Sequence, residues 1–152
     1  MNTLEPILAE HPFLHGLAPA HVSLLVGCAS NVVFQPGETV FREGDPADDF
    51  FIVREGDVGV ELHVPGQGTM TIATVGAGEI LGWSWLVPPH RCAFSARAAT
   101  RVRAISFDGA CLRDKCDRDP ALGYELLKRV AMVMADRLQA TRLQLLDLYE
   151  RH

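Results

Sequence analysis

The segment 36–68 is interrupted at short intervals by Pro36-Gly37, Gly44-Asp45-Pro46, Glu55-Gly56-Asp57 and Pro65-Gly66-Gln67-Gly68. Glycine reaches left-handed backbone and proline fixes φ, so clusters of this kind turn the chain and leave no room for a long helix. Around them apolar residues alternate with others. Val58, Val60 and Leu62 alternate with Gly59, Glu61 and His63, Met70 and Ile72 flank Thr71, and Val102 and Ala104 alternate with Arg101 and Arg103. A period of two reads as half-buried strands of antiparallel type. Seven or eight short strands fit between Ser30 and Phe107, and such a set closes into a barrel or a sandwich.

Both flanks have a helical period. Val22, Leu25, Val26 and Ala29 follow Pro19 at helical spacing, and Pro12 divides the region into two short helices. Further on, Asp108 caps a short helix through Cys116, and Asp119-Pro120 joins an N-cap to a first-turn proline. From Pro120 to about Tyr149 only Gly123 interrupts, roughly 45 Å of helix at 1.5 Å per residue. Leu127, Ala131, Met134, Leu138, Thr141, Leu145 and Leu148 step by four and three as a coiled-coil seam, and Leu122, Leu126, Val130 and Val133 add a second stripe. One stripe covers the strands while the other meets a partner helix, which predicts a parallel homodimer; the alternative is a single helix lying on its own strands. Arg129, Arg137, Arg142 and Arg151 read as the solvated face. The chain is expected to be one domain over 1–152, with N-terminal helices over 1–29, a β-roll over 30–107 and C-terminal helices over 108–152.

Composition narrows the function. Hydrophobic residues at 48% of 152 supply a core, and a net charge of −5 argues against a nucleic-acid surface, which needs clustered Lys and Arg. No apolar run reaches membrane-spanning length and Glu5 and Glu10 replace a basic flank, so a cytoplasmic protein without signal peptide or membrane anchor is expected. Cys28, Cys92, Cys111 and Cys116 form no CxxC and are expected as reduced thiols. His11 and His15 lie four apart but lack a further ligand, and Asp45, Asp48 and Asp49 lack EF-hand spacing, so no metal is expected and the aspartates read as turn residues.

The stretch from Gly78 to Ala93 holds the candidate site. Gly82 admits close approach of a ligand, and the amides of Trp83, Ser84 and Trp85 open a helical turn whose free donors attract anions. Arg91 offers a planar fork of donors to the same anion. Gly82, Trp83, Ser84, Trp85, Arg91, Cys92 and Ala93 are therefore the candidate ligand-binding residues. The competing reading is a structural turn with Arg91 paired to a nearby acid.

The segment from Phe34-Gln35-Pro36-Gly37-Glu38-Thr39-Val40-Phe41 through Gly44-Asp45-Pro46-Ala47-Asp48-Asp49-Phe50-Phe51-Ile52-Val53-Arg54-Glu55-Gly56-Asp57-Val58, set among these elements, resembles the cyclic nucleotide-binding domain. This is the sensor domain of catabolite activator protein-like regulators, cyclic-nucleotide-dependent kinases and gated channels. The resemblance covers nearly the whole chain. It implies a mainly β fold with flanking α, an antiparallel jelly-roll β-roll with N-terminal helices and a long C-terminal dimerisation helix. In the family a phosphate-binding cassette reads Phe-Gly-Glu, a short helix, then Arg-x-Ala. Leu81-Gly82-Trp83 and Arg91-Cys92-Ala93 stand at those places, so the glycine, arginine and alanine match and the acid that accepts a ribose hydroxyl is replaced by Trp83. An indole donates one hydrogen bond and accepts none. Family transcription factors continue into a helix-turn-helix that 1–152 does not contain, so no direct DNA binding is expected.

Two functions follow as expectations. One is a stand-alone regulatory sensor binding cAMP, another cyclic nucleotide or a related anionic small molecule in the modified cassette. The other is a dimeric interaction module of the same fold that has lost that ligand, with Trp83 and Trp85 plugging the pocket or stacking on a flat guest. An enzyme is not expected. Cys92 between Arg91 and Ala93 could be an activated thiol, but strand alternation buries it as an inert small residue.

Overall fold

The computed structural model describes residues 4–150. Two short helices come first, α1 (Leu4–Glu10) and α2 (Pro19–Val26). Eight strands follow: β1 (Ala29–Phe34), β2 (Thr39–Phe41), β3 (Asp49–Glu55), β4 (Val58–Val64), β5 (Gly68–Val75), β6 (Ile80–Leu81), β7 (Ser95–Ala98) and β8 (Val102–Asp108). A 3₁₀ turn, Trp83–Trp85, lies between β6 and β7, and α3 (Gly109–Arg118) and α4 (Pro120–Glu150) complete the chain. Asp108 accepts the Cys111 N–H at 3.0 Å and Asp119 the Leu122 N–H at 3.2 Å, so both expected caps start the helices they precede.

The strands form two four-stranded antiparallel sheets, β1-β8-β3-β6 and β2-β7-β4-β5. Between them lies one core of Phe51, Val53, Val58, Val60, Val75, Leu81, Ala96, Ala98, Val102 and Ala104. The helices cover the other face of the first sheet and close a second core, where Phe50, Ile52, Ile105 and Phe107 meet Leu8, Leu25, Leu112, Leu122, Leu126 and Val130. The first sheet is therefore buried on both sides. Phe50, Phe51, Ile52 and Val53 in β3 are all buried in succession, which is why this strand reads as a continuous apolar run. β5 departs from the expected half-burial: Met70 and Ile72 are 43% and 54% exposed. It is an edge strand paired to β4, and its residues 68–74 are exposed.

The N-terminal turn is fixed to the first sheet by His11, 6% exposed, whose Nε2 donates to the Val53 carbonyl at 2.9 Å while Nδ1 accepts the Phe13 N–H at 3.1 Å. That pairing uses the neutral ring, and burial lowers the pKa of His11 below its ordinary value.

α4 separates its two stripes. Leu122, Leu126 and Val130 are buried against the roll with Val133 beside them, while Leu127, Met134, Leu138, Leu145 and Leu148 are exposed. Two arginines assigned to the solvated face turn inward instead. Arg129 Nη1 donates to the Phe13 carbonyl at 2.8 Å and the His15 carbonyl at 2.9 Å, and Arg137 Nη2 donates to the Ile80 carbonyl at 2.9 Å. Carbonyls left free at turns and at an edge strand need donors, and a guanidinium reaches them over its apolar stem. Arg142 is exposed, and Arg151 lies outside the described residues.

The expectation of four reduced thiols fails as well. Cys28 and Cys111 are joined by a disulfide, with Cα atoms 5.7 Å apart across 83 residues of sequence. The fold brings the start of β1 and the first turn of α3 side by side, which scattered spacing does not reveal. Cys92 and Cys116 are free. No helix among the described residues is long and apolar enough to cross a membrane.

Candidate functional site: the cassette between β6 and β7

The cassette begins where β6 pairs with β3, Ile80 opposite Ile52 and Leu81 opposite Phe51. Gly82 then turns the chain with φ 85° and ψ 57°, left-handed backbone that favours glycine. A β-carbon there would lie 3.4 Å from both the Asp49 carbonyl and the Phe41 ring, so Phe41 packs directly on the turn. Leu86 N–H donates to the Trp83 carbonyl at 3.1 Å and closes the 3₁₀ turn.

The exit is laced to the loop between β2 and β3. Ala47 N–H donates to the His90 carbonyl at 2.8 Å, Cys92 N–H to the Asp45 carbonyl at 2.8 Å and Gly44 N–H to the Cys92 carbonyl at 2.9 Å. His90 holds φ 56°, a strained value for a non-glycine residue. The Arg91 guanidinium is on the exposed side of this seam, where Nη1 donates to the Gly44 carbonyl at 3.4 Å.

A hollow of about 230 Å³ lies behind the seam, lined by Val40, Phe41, Asp45, Pro46, Asp48, Asp49, Phe51 and Cys92. It is small beside the roughly 300–1,000 Å³ of ordinary ligand pockets. Three aspartates border it and Arg91 is not in its lining. Burial raises the carboxyl of Asp49 above its ordinary pKa, Asp48 and Asp108 push it the same way, and the Ser106 hydroxyl opposes them. Burial, followed by the charges of Asp45, Asp48 and Asp49, also raises the Cys92 thiol. An elevated pKa leaves the thiol protonated at neutral pH, the reverse of an activated nucleophile.

The structure thus divides the sequence-predicted residues. Cys92 lines the hollow, and Gly82 packs on Phe41 of its lining without belonging to it. Trp83 and Trp85 do neither. Trp85 is fully buried in the helix-side core with its ring centroid 5.6 Å from that of Phe50, and Trp83 packs against the same core. Ser84 is buried, while Arg91 and Ala93 are exposed. Phe41, Phe51 and Phe94 fill the space near Gly82, with Phe41–Phe51 and Phe41–Phe94 centroids 6.3 Å and 5.7 Å apart. Phe41 and the aspartates belong to a segment read for its turns, so their part in the site escaped the sequence. Two further residues were missed: Arg113 Nη1 donates to the Trp85 carbonyl at 2.7 Å and Arg137 to Ile80, holding the cassette from α3 and α4. Among the described residues no cluster of His, Cys, Asp and Glu is arranged to hold a metal ion.

Comparison with known proteins agrees with this architecture. The model of the cyclic nucleotide-binding domain matches residues 31–119. A CRP-like cAMP-activated global transcriptional regulator of Mycobacterium tuberculosis is 30% identical over 145 residues, covering 95% of this chain and 63% of that protein. The chain therefore spans less than two-thirds of this relative's length. Among solved structures, a putative cyclic nucleotide-binding protein from Geobacter metallireducens is similar with a TM-score of 0.80 and 28% identity, covering 91% of this chain and 99% of that one. A cyclic nucleotide-binding domain from Methylobacillus flagellatus shares the fold with a TM-score of 0.82 at 23% identity, over 95% and 84% of the two chains. The glycine turn and trailing arginine between β6 and β7, on a two-sheet roll closed by a long helix, agree with this match: the chain belongs to the cyclic nucleotide-binding domain family.

Proposed function

We propose that this chain is a regulatory interaction module of the cyclic nucleotide-binding type, acting as a homodimer through α4, whose cassette has lost the contacts that hold a cyclic nucleotide. One observation carries the reading: the hollow behind the cassette is bordered by Asp45, Asp48 and Asp49, while Arg91 stays outside on the Gly44 carbonyl. A phosphate introduced there meets like charge, at a cost on the order of a few kcal/mol for each carboxylate within about 4 Å near a protein surface. Trp83 stands at the place of the family's ribose-accepting acid and packs into the helix-side core, so a ribose hydroxyl buried without that acceptor loses a further ~1–3 kcal/mol. Dimerisation is supported by the exposed Leu127, Met134, Leu138, Leu145 and Leu148 on one long helix, an apolar seam with coiled-coil spacing.

A second reading, the anion sensor, is supported by Gly82 in left-handed backbone before the Trp83–Trp85 turn with Arg91 on the same cassette. Under it, Gly82, Trp83, Ser84, Trp85, Arg91, Cys92 and Ala93 hold cAMP or a related anion after Arg91 swings inward. Titration calorimetry with cAMP and cGMP separates the two. The module predicts no saturable heat at millimolar nucleotide. A micromolar Kd that disappears in Arg91→Ala replaces it with the sensor. For the dimer, light scattering is expected to give twice the chain mass, and Leu138→Glu the monomer.

A further inference from the structure

The disulfide lies where four elements meet. Cys28 directly precedes β1 and follows Gly27, the cap of α2; Cys111 is in the first turn of α3. The Asp108 N–H at the end of β8 donates to the Cys28 carbonyl at 3.0 Å, and the Asp108 carboxylate caps α3 through the Cys111 N–H. Cys28 is 6% exposed whereas Cys111 is half-buried, so Cys111 is the more open half of the bond.

The opposite flank of α3 holds the cassette and its neighbouring loop. Arg113 donates to the Trp85 carbonyl at 2.7 Å, and the Gly109 N–H donates to the Asp48 carbonyl at 2.7 Å. Leu112 between them is buried in the helix-side core. One turn of helix therefore carries a covalent bond to the α2–β1 junction on one side and hydrogen bonds to the cassette and to the loop before β3 on the other. Trp83 and Trp85, the two tryptophans of the chain, both lie in that cassette.

From this juxtaposition we infer that Cys28–Cys111 is a redox-responsive link that sets how firmly α3 holds the cassette. A dithiol reductant supplies the chemistry. Its thiolate attacks Cys111 Sγ, the Cys28–Cys111 bond breaks, and Cys28 leaves as a thiolate that takes a proton from solvent. The second thiolate of the reductant then attacks the mixed disulfide, releasing Cys111 as a thiol and the reagent as its cyclic disulfide. The protein gains two electrons and two protons. With the bond open, the first turn of α3 is held to the α2–β1 junction by hydrogen bonds and core packing without a covalent tie, and its grip on Asp48 and Trp85 weakens. The link is independent of what the cassette binds.

The test uses the whole chain, oxidised and then treated with dithiothreitol under native conditions. Three readouts are taken: peptide masses after iodoacetamide, tryptophan emission and the thermal midpoint. The expected result is new alkylation at Cys111, a shift in native emission, and a midpoint lower by on the order of 10 °C, since a crosslink over a long loop constrains the unfolded chain. Cys111→Ser should start in the reduced-like state and ignore dithiothreitol; reduction of the unaltered chain provides the same comparison where that variant fails to fold. Two results overturn the proposal. One is alkylation at Cys111 with unchanged tryptophan emission, which makes the bond a staple only. The other is a bond that stays closed in excess dithiothreitol.

Discussion

The two sheets of the roll have four strands each, yet they carry different loads. The first, β1-β8-β3-β6, has a core on each face, one shared with the second sheet and one with the helices. The second, β2-β7-β4-β5, has a core on one face, and its outermost strand is exposed over 68–74. The difference shows where the molecule is stiff. The cassette starts from β6 of the first sheet and is gripped by α3 and α4, whereas the acidic hollow lies between the two sheets, lined by β2, the β2–β3 loop, the start of β3 and Cys92.

Core truncation exposes the contrast most strongly. Phe107→Ala in β8, where Phe107 stacks on Phe50 at 5.8 Å, is expected to destabilise by about 3–5 kcal/mol in chemical denaturation. A loss under 1 kcal/mol would erase the distinction between the sheets. Next comes His11, the pin between the N-terminal turn and β3. Its pKa is lowered in the fold, so the neutral ring is favoured: its contribution is complete above the unfolded value of 6.5 and declines as pH falls below it. His11→Gln is expected to cost about 1–3 kcal/mol at pH 7.5, by leaving the Phe13 N–H without its acceptor, and to flatten the stability profile between pH 7 and 5. A variant as pH-sensitive as the parent moves that dependence elsewhere. Arg137→Gln removes the α4 donor from the Ile80 carbonyl at the sheet edge and should cost about 1–2 kcal/mol, with altered tryptophan emission marking the cassette. At the bottom, Ile72→Thr on β5 should change stability by no more than ~0.5 kcal/mol.

Much of this architecture could be read from the chain. Turn residues and alternation gave the strands, Asp108 and Asp119 marked two helix starts, and the two stripes on α4 separated as their spacing implied. The site was less legible because spacing gives a residue's place along a strand or turn but not the direction its side chain takes on leaving it. Trp83 and Trp85 belong to the expected segment but turn into the helix-side core, and Phe41, distant in sequence, occupies the turn at Gly82 instead. Arg129 and Arg137 mislead for a related reason: a helical wheel shows polarity but not the free carbonyls a long guanidinium finds across the groove. The Cys28–Cys111 pair depends on tertiary closure over 83 residues, which no local pattern encodes.

Gly109 sets the distance between α3 and its neighbours. A β-carbon at that position would lie 3.1 Å from the Asp48 carbonyl and the Trp85 Cβ, and 3.3 Å from the Ala47 carbonyl. Two of those three neighbours are main chain and cannot rotate aside, so even a single methyl group acts as a shim that lifts the helix. The absence of a side chain at Gly109 thereby gauges the spacing between α3 and the Trp83–Trp85 turn, and one added carbon is enough to reset it.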